Sequence, residues 1–218
     1  LEARLAEFGT ALQSLLAQPS VDELAEVERA ASRALSHDLG TASNTRNERV
    51  QMAQRLGRWM VAGKQDAQGF PALAQNYAMD AAYVDWARLK LLGGDELAAL
   101  SSAYTALADA VRKQREAFGK RFATALKTWN ADVSVSEGCM PVEAVLERLV
   151  SPLAQQSPVL LLVVDGLSYP IFRELCADLA RNGWAEHIPE GLTVSSIGIA
   201  ALPTVTEISR TSLLCGKL

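Results

Sequence analysis

Apolar residues recur at helical spacing from the start of the chain. Leu1, Leu5, Phe8, Leu12, Leu15 and Leu16 fall on one helical face, and Pro19 ends that segment. Ser20-Val21-Asp22-Glu23 is a capping-box pattern: the Ser20 hydroxyl can accept from the Glu23 amide and Glu23 can reach back. It predicts a second helix running to His37. A polar loop, Gly40 to Asn44, precedes a third helix over Thr45 to Ala62. A fourth covers Ala72 to Leu92, where Gly93-Gly94 breaks the chain. From Asp95 onward, Leu97, Leu100, Tyr104, Leu107, Val111, Phe118, Phe122, Ala125 and Trp129 keep a helical period. They predict a single helix of about 35 residues, packed along one face. Ala131 to Gly138 reads as a polar linker, and Pro141 opens a further helix to Leu153.

The pattern changes at residue 157. Val159-Leu160-Leu161-Leu162-Val163-Val164 is a continuous apolar run of strand length, suited to a strand buried on both faces of a parallel sheet. A helix over Tyr169 to Arg181 follows, with Asn182-Gly183 as its stop. The β-branched stretch Leu192 to Ile199 predicts the next strand, and another helix starts near Val205. The expected fold class is therefore α+β. Residues 1–150 form a helical region, and residues 151–218 form the β-α-β-α opening of an α/β domain.

Composition narrows the partners. The net charge of −4 gives no global attraction to nucleic acid. A local exception is the stretch holding Arg112, Lys113, Arg115, Lys120 and Arg121, which is either a solvated helix face or a phosphate-backbone contact. No apolar run reaches the about 18 residues of a membrane span. Cys139, Cys176 and Cys215 are sparse and odd in number, which argues for buried thiols in a reducing cytoplasm rather than a disulfide framework. His37 and His187, the two histidines, are too few for a histidine-rich metal site. The chain begins at Leu1 rather than Met and stops at Gly216-Lys217-Leu218, so both ends read as cuts in a longer protein.

Candidate chemistry sits in the last third. Asp165-Gly166 follows the apolar run directly. In parallel α/β sheets ligands bind beyond the carboxyl ends of the strands, so Asp165 is either a site carboxylate or a cap of the next helix. Thr204 and Glu207 form a second capping-box pattern, with Thr204 as the expected N-cap and Thr206 at the second helical position. Amides there lack intrahelical partners and the helix dipole is positive, so Thr206 is either an ordinary first-turn residue or a hydroxyl held at an anion site. Arg210 lies one turn further on, as a phosphate clamp or a surface ion pair.

Two stretches carry a resemblance. They are Val163-Val164-Asp165-Gly166-Leu167-Ser168 and the longer Leu202-Pro203-Thr204-Val205-Thr206-Glu207-Ile208-Ser209-Arg210-Thr211-Ser212-Leu213-Leu214-Cys215-Gly216. The segment Val159 to Leu218 resembles the PglZ domain of BREX phage-defence systems. Tyr83 to Arg88 and Pro141 to Leu146 look like the type 2 form. PglZ domains are similar to the alkaline phosphatase superfamily. The resemblance implies the truncated start of an alkaline-phosphatase-like domain and a metal-dependent phosphatase or phosphodiesterase with a two-metal site, usually zinc. Asp165 then matches a metal ligand and Thr206 the nucleophile, which also contacts a metal. Implied partners are other BREX defence proteins, with a phosphate ester or nucleic acid as substrate. The superfamily takes its remaining Asp and His ligands from segments beyond the nucleophile helix, so this chain is expected to be inactive alone. The alternative is a non-catalytic assembly module whose long helices dock other defence proteins.

Overall fold

The structure is a computed structural model and describes residues 1–36, 44–63, 67–129, 138–190 and 195–217. His37 and most of the two expected loops at 40–44 and 131–138 lie outside the described residues. The described chain is mostly helical. The first helices fall where the apolar spacing puts them: α1 Glu2–Ala17, α2 Val21–Leu35 and α3 Asn44–Ala62. Ser20 is the N-cap of α2, its hydroxyl accepting from the Glu23 amide at 3.2 Å. Ser20→Ala is expected to cost about 1 kcal/mol and to lower the thermal midpoint, read by circular dichroism, by a few degrees.

The fourth expected helix is interrupted. It forms as α4 Phe70–Asn76 and α5 Ala82–Leu91, joined by a π-helical turn at Tyr77–Ala81. The long helix, α6, spans Ala98–Lys127 and has 30 residues. It starts later than expected because Asp95 holds the preceding turn, accepting from the Leu97 amide at 2.9 Å.

The chain divides into two compact units. The first comprises Leu1–Asp66 and Ala78–Arg121, the second Ala67–Tyr77 and Phe122–Leu218. The first unit has one apolar core. Leu5, Phe8, Leu12 and Leu15 of α1 pack with Val27 and Ala31 of α2, Leu56 of α3, Leu91 of α5 and Leu100, Tyr104, Leu107 and Val111 of α6. The Phe8 and Tyr104 rings meet edge to face at 6.5 Å. Gly9 lies inside α1 because a Cβ there would come within 3.3 Å of the Leu100 Cα. Outside this core Arg55 stacks over Tyr83 and Lys90 over Trp86.

The second unit is built differently. Phe70 packs against Phe122 and Trp129, each at 5.0 Å between ring centroids, and buried Cys139 joins that cluster. Two short parallel strands, β1 Cys139–Pro141 and β2 Ile197–Ile199, pair in register Cys139↔Ile197. A 3₁₀ turn at Val142–Ala144, a π turn at Leu146–Val150 and the short helix α7, Ser151–Ala154, continue from β1. Helix α8, Tyr169–Arg181, has the expected bounds, and Gly183 after it has φ 86°. Helix α9 is Thr206–Cys215.

The expected strand at Val159–Val164 is not formed. Among the described residues the only sheet is β1–β2, so the partner of β2 is Cys139–Pro141 and not the apolar run. The part of the second expected strand before Ser195 lies outside the described residues. The apolar run is exposed along its whole length, with Leu160 at 82% and Leu162 at 74% against Leu161 at 40% and Val163 at 46%. Exposure on alternate residues is the geometry of an extended chain. A strand needs neighbours for its amides and carbonyls, and none of the described strands lies beside this one. The apolar side of α8 is likewise open: Phe172, Leu175 and Leu179 are exposed.

Candidate functional site

Helix α9 is held by its inner face. Ser212 and Leu213 are buried, and the helix packs on the 3₁₀ turn after β1. The Ser209 hydroxyl donates to the Ala201 carbonyl at 3.3 Å. Gly216 closes the helix in the left-handed conformation, φ 65°, its amide donating to the Ser212 carbonyl at 2.9 Å.

The start of α9 corrects one expectation. The N-cap is Val205, in extended conformation at φ −97° and ψ 147°, with no side-chain cap, and Thr206 is the first helical residue. Thr204 is not the cap. The Val205 amide instead donates to the Pro203 carbonyl at 2.8 Å, a tight turn that moves the helix start one residue on. Thr206 is exposed there, beside the amides that open the helix. Glu207 adds a negative charge to the first turn, where the dipole favours it.

Asp165 ends the apolar run and Gly166 turns the chain at φ 72°, with open space where a Cβ would stand. The Arg210 guanidinium donates through Nη2 to Asp165 Oδ2, across 45 positions of sequence. Thr206 and Arg210 are four residues apart on α9 and therefore share one side of it. Two of the three sequence-predicted site residues are thus in contact, and the third lies one turn from that contact. The ion pair is open to solvent, with side-chain exposures of 50% and 43%.

Asp165 and Thr206 offer oxygen donors, the kind that hard divalent cations take. Among the described residues, however, no three His, Cys, Asp or Glu side chains come together, and one Asp165 oxygen is engaged by Arg210. These residues do not by themselves fit a two-metal site. His187 is exposed. Cys176 is half-buried and Cys215 exposed, both as thiols.

A further cluster escaped the sequence reading. Glu186 accepts from Arg173 of α8 at 2.8 Å and from the Ser195 hydroxyl at 2.6 Å. The Ser195 bond and then Arg173 hold its carboxyl below the usual range. Nothing in the spacing of Arg173, Glu186 and Ser195 announces this: the contacts run between a helix and the irregular segments after it.

The basic stretch of α6 is engaged within the first unit. Arg112 pairs with Glu116 at 2.6 Å, and Arg115 with Asp85 at 2.8 Å. The Arg112 side chain is about half exposed, as on a solvated face, whereas that of Arg115 is largely buried, at 12% exposure. Among the described residues no helix is long and apolar enough to cross a membrane. The chain matches no protein-family model, no curated protein and no solved structure.

Proposed function

We propose that this chain contributes the nucleophile helix of a PglZ-like phosphohydrolase or phosphodiesterase that acts in bacterial phage defence, in the cytoplasm. One observation carries the reading: Asp165 and Arg210, far apart in sequence, are hydrogen-bonded, and Thr206 opens the same helix one turn before Arg210. A hydroxyl at the positive end of a helix, with a guanidinium on the same side, suits attack on a phosphate ester. The Thr206 oxygen forms a bond to phosphorus as its hydroxyl proton passes to water, the bond from phosphorus to the leaving oxygen breaks, and that oxygen takes a proton back from water. Water then hydrolyses the phosphothreonine. Arg210 neutralises charge on the non-bridging oxygens. Divalent metal, zinc on the resemblance, would supply Lewis acidity. The resemblance takes its remaining ligands from segments beyond the nucleophile helix, so the test uses a protein that carries them, quenched during turnover of a generic phosphodiester and digested for mass spectrometry. Phosphate on the peptide bearing Thr206, and its loss with cleavage in Thr206→Val, is the expected result. Undiminished cleavage by Thr206→Val would end the assignment.

A second reading is favoured by the exposed apolar side chains, most of which lie beyond Leu153 among the described residues. Such a surface marks a protein contact. In this reading the chain is an assembly module that docks other BREX proteins, with no chemistry at Thr206. The phosphopeptide experiment separates the two.

A further inference from the structure

We infer that Val159–Val164 is a self-pairing strand whose partner is the same run in a second copy of this chain, antiparallel about Leu161. This pairing is independent of any chemistry at Thr206. Among the described residues no backbone hydrogen bond joins the run to another strand. Its amides and carbonyls are therefore open to a ladder from another chain. Area, charge and register each point to a second copy. With Leu175 and Leu179 on the open side of α8, the run exposes on the order of 700 Å² of apolar surface, close to the ~800 Å² that each partner gives to a standard interface. The run carries no charge, so self-pairing sets an apolar side chain opposite an apolar side chain throughout. Parallel pairing in register would set Asp165 beside Asp165, and it repeats by translation instead of closing. Antiparallel pairing about a two-fold axis sets Asp165 opposite Ser157 and closes at two copies. The register follows from the two sides of the run. Leu160, Leu162 and Val164 are 82%, 74% and 61% exposed, against 39%, 40% and 46% for Val159, Leu161 and Val163. Residues directly opposite share a face of a sheet, and a slip by one residue exchanges the faces. Pairing about Leu161 sets Leu160 opposite Leu162 of the second copy and Val159 opposite Val163, so the more open sides of both copies join.

The test is size-exclusion chromatography with light scattering on the full 218-residue chain over a range of concentrations. The expected mass is twice that of the 23.4 kDa chain, falling towards one copy on dilution. Leu160→Lys with Leu162→Lys changes side chains that are open to solvent in the single copy, so helical circular dichroism should be unchanged. The same change sets four ammonium groups into the paired face and should raise the dimer dissociation constant at least about 100-fold. Oxidative cross-linking reads the register, in a Cys176→Ser, Cys215→Ser background that leaves only buried Cys139. Leu161→Cys should join two copies, because position 161 meets itself at the axis. Val164→Cys should not, because antiparallel pairing holds its two copies about 20 Å apart, beyond the reach of a disulfide. A single-copy mass at every concentration would overturn the second copy as occupant and leave the run to a different protein. A dimer that survives the two lysines would place the contact elsewhere and overturn the pairing. Equal cross-linking of Leu161→Cys and Val164→Cys, or assemblies larger than two copies, would overturn the closed antiparallel arrangement.

Discussion

Phe8→Ala is expected to destabilise the first unit by about 3–5 kcal/mol, the range for a buried phenylalanine. Phe8 is fully buried, at 0% exposure, in a core to which α1, α2, α3, α5 and α6 all contribute. Truncation removes the transfer free energy of the ring and leaves a hole that the helices cannot close, because Leu12 and Leu15 on the same face are themselves fully buried. The edge-to-face contact with Tyr104 goes too, a further loss of about 0.5–1.5 kcal/mol where it is not already counted in the packing. Since domains of this size are stable by only about 5–15 kcal/mol, one substitution removes a large share. The measurement is urea unfolding followed by helical circular dichroism, with Phe172→Ala as the contrast. Phe172 is 36% exposed on α8 and its truncation should cost under about 1 kcal/mol. Equal midpoints for the two variants would mean that Phe8 does not sit in a packed core.

The first unit was legible in sequence because its core is assembled from local periodicity. Leu5, Phe8 and Leu12 repeat at helical spacing, and each repeat states both the helix and the face that it buries. The same holds for Leu100, Tyr104 and Leu107. The π turn at Tyr77–Ala81 was not legible, since the apolar pattern runs through it unbroken. The second unit defeated the pattern for another reason. Val159–Val164 states that it wants cover on both faces, but a sheet is a property of pairs, and pairing partners are not written in a strand's own residues. The chain instead pairs Ile197–Ile199 with Cys139–Pro141, a stretch that fell between the expected linker and the helix expected from Pro141. Of the candidate site, composition and spacing located Asp165, Thr206 and Arg210. They left Arg210 open between clamp and ion pair, and its contact with Asp165 became visible only in three dimensions. The cap of α9 was misplaced by one residue because the turn at Pro203 supplies a backbone bond that the capping-box pattern cannot foresee.

Asp95→Ala is expected to cost about 3–5 kcal/mol, because it leaves a largely buried guanidinium without its counter-ion. The Asp95 side chain is 2% exposed and that of Arg46 18%. Arg46 donates twice, Nε to Oδ2 at 2.9 Å and Nη2 to Oδ1 at 2.6 Å, while the Leu97 amide donates to Oδ1 at 2.9 Å. The two planar groups thus lock the turn before α6 to α3. Replacing both together, Arg46→Met with Asp95→Leu, should cost far less than Asp95→Ala alone, since no buried charge is left unpaired. The pair also sets an acid limit. Burial pushes the Asp95 carboxyl up, but the Arg46 bonds, the Leu97 amide and the charges of Arg46 and Arg49 outweigh it, so the net shift is below the ordinary 3.8. A carboxyl with a depressed folded value contributes its full stability above the unfolded value and loses it as pH falls through the folded one. Stability from this pair should therefore be flat at neutral pH and fall only below about pH 4. Urea midpoints measured from pH 7 down to pH 2 should show Asp95→Asn starting lower and falling less steeply in that acid window. Parallel curves for Asp95→Asn and the parent chain would mean that Asp95 has no depressed titration, and the buried pair would lose its place as the clamp between α3 and α6.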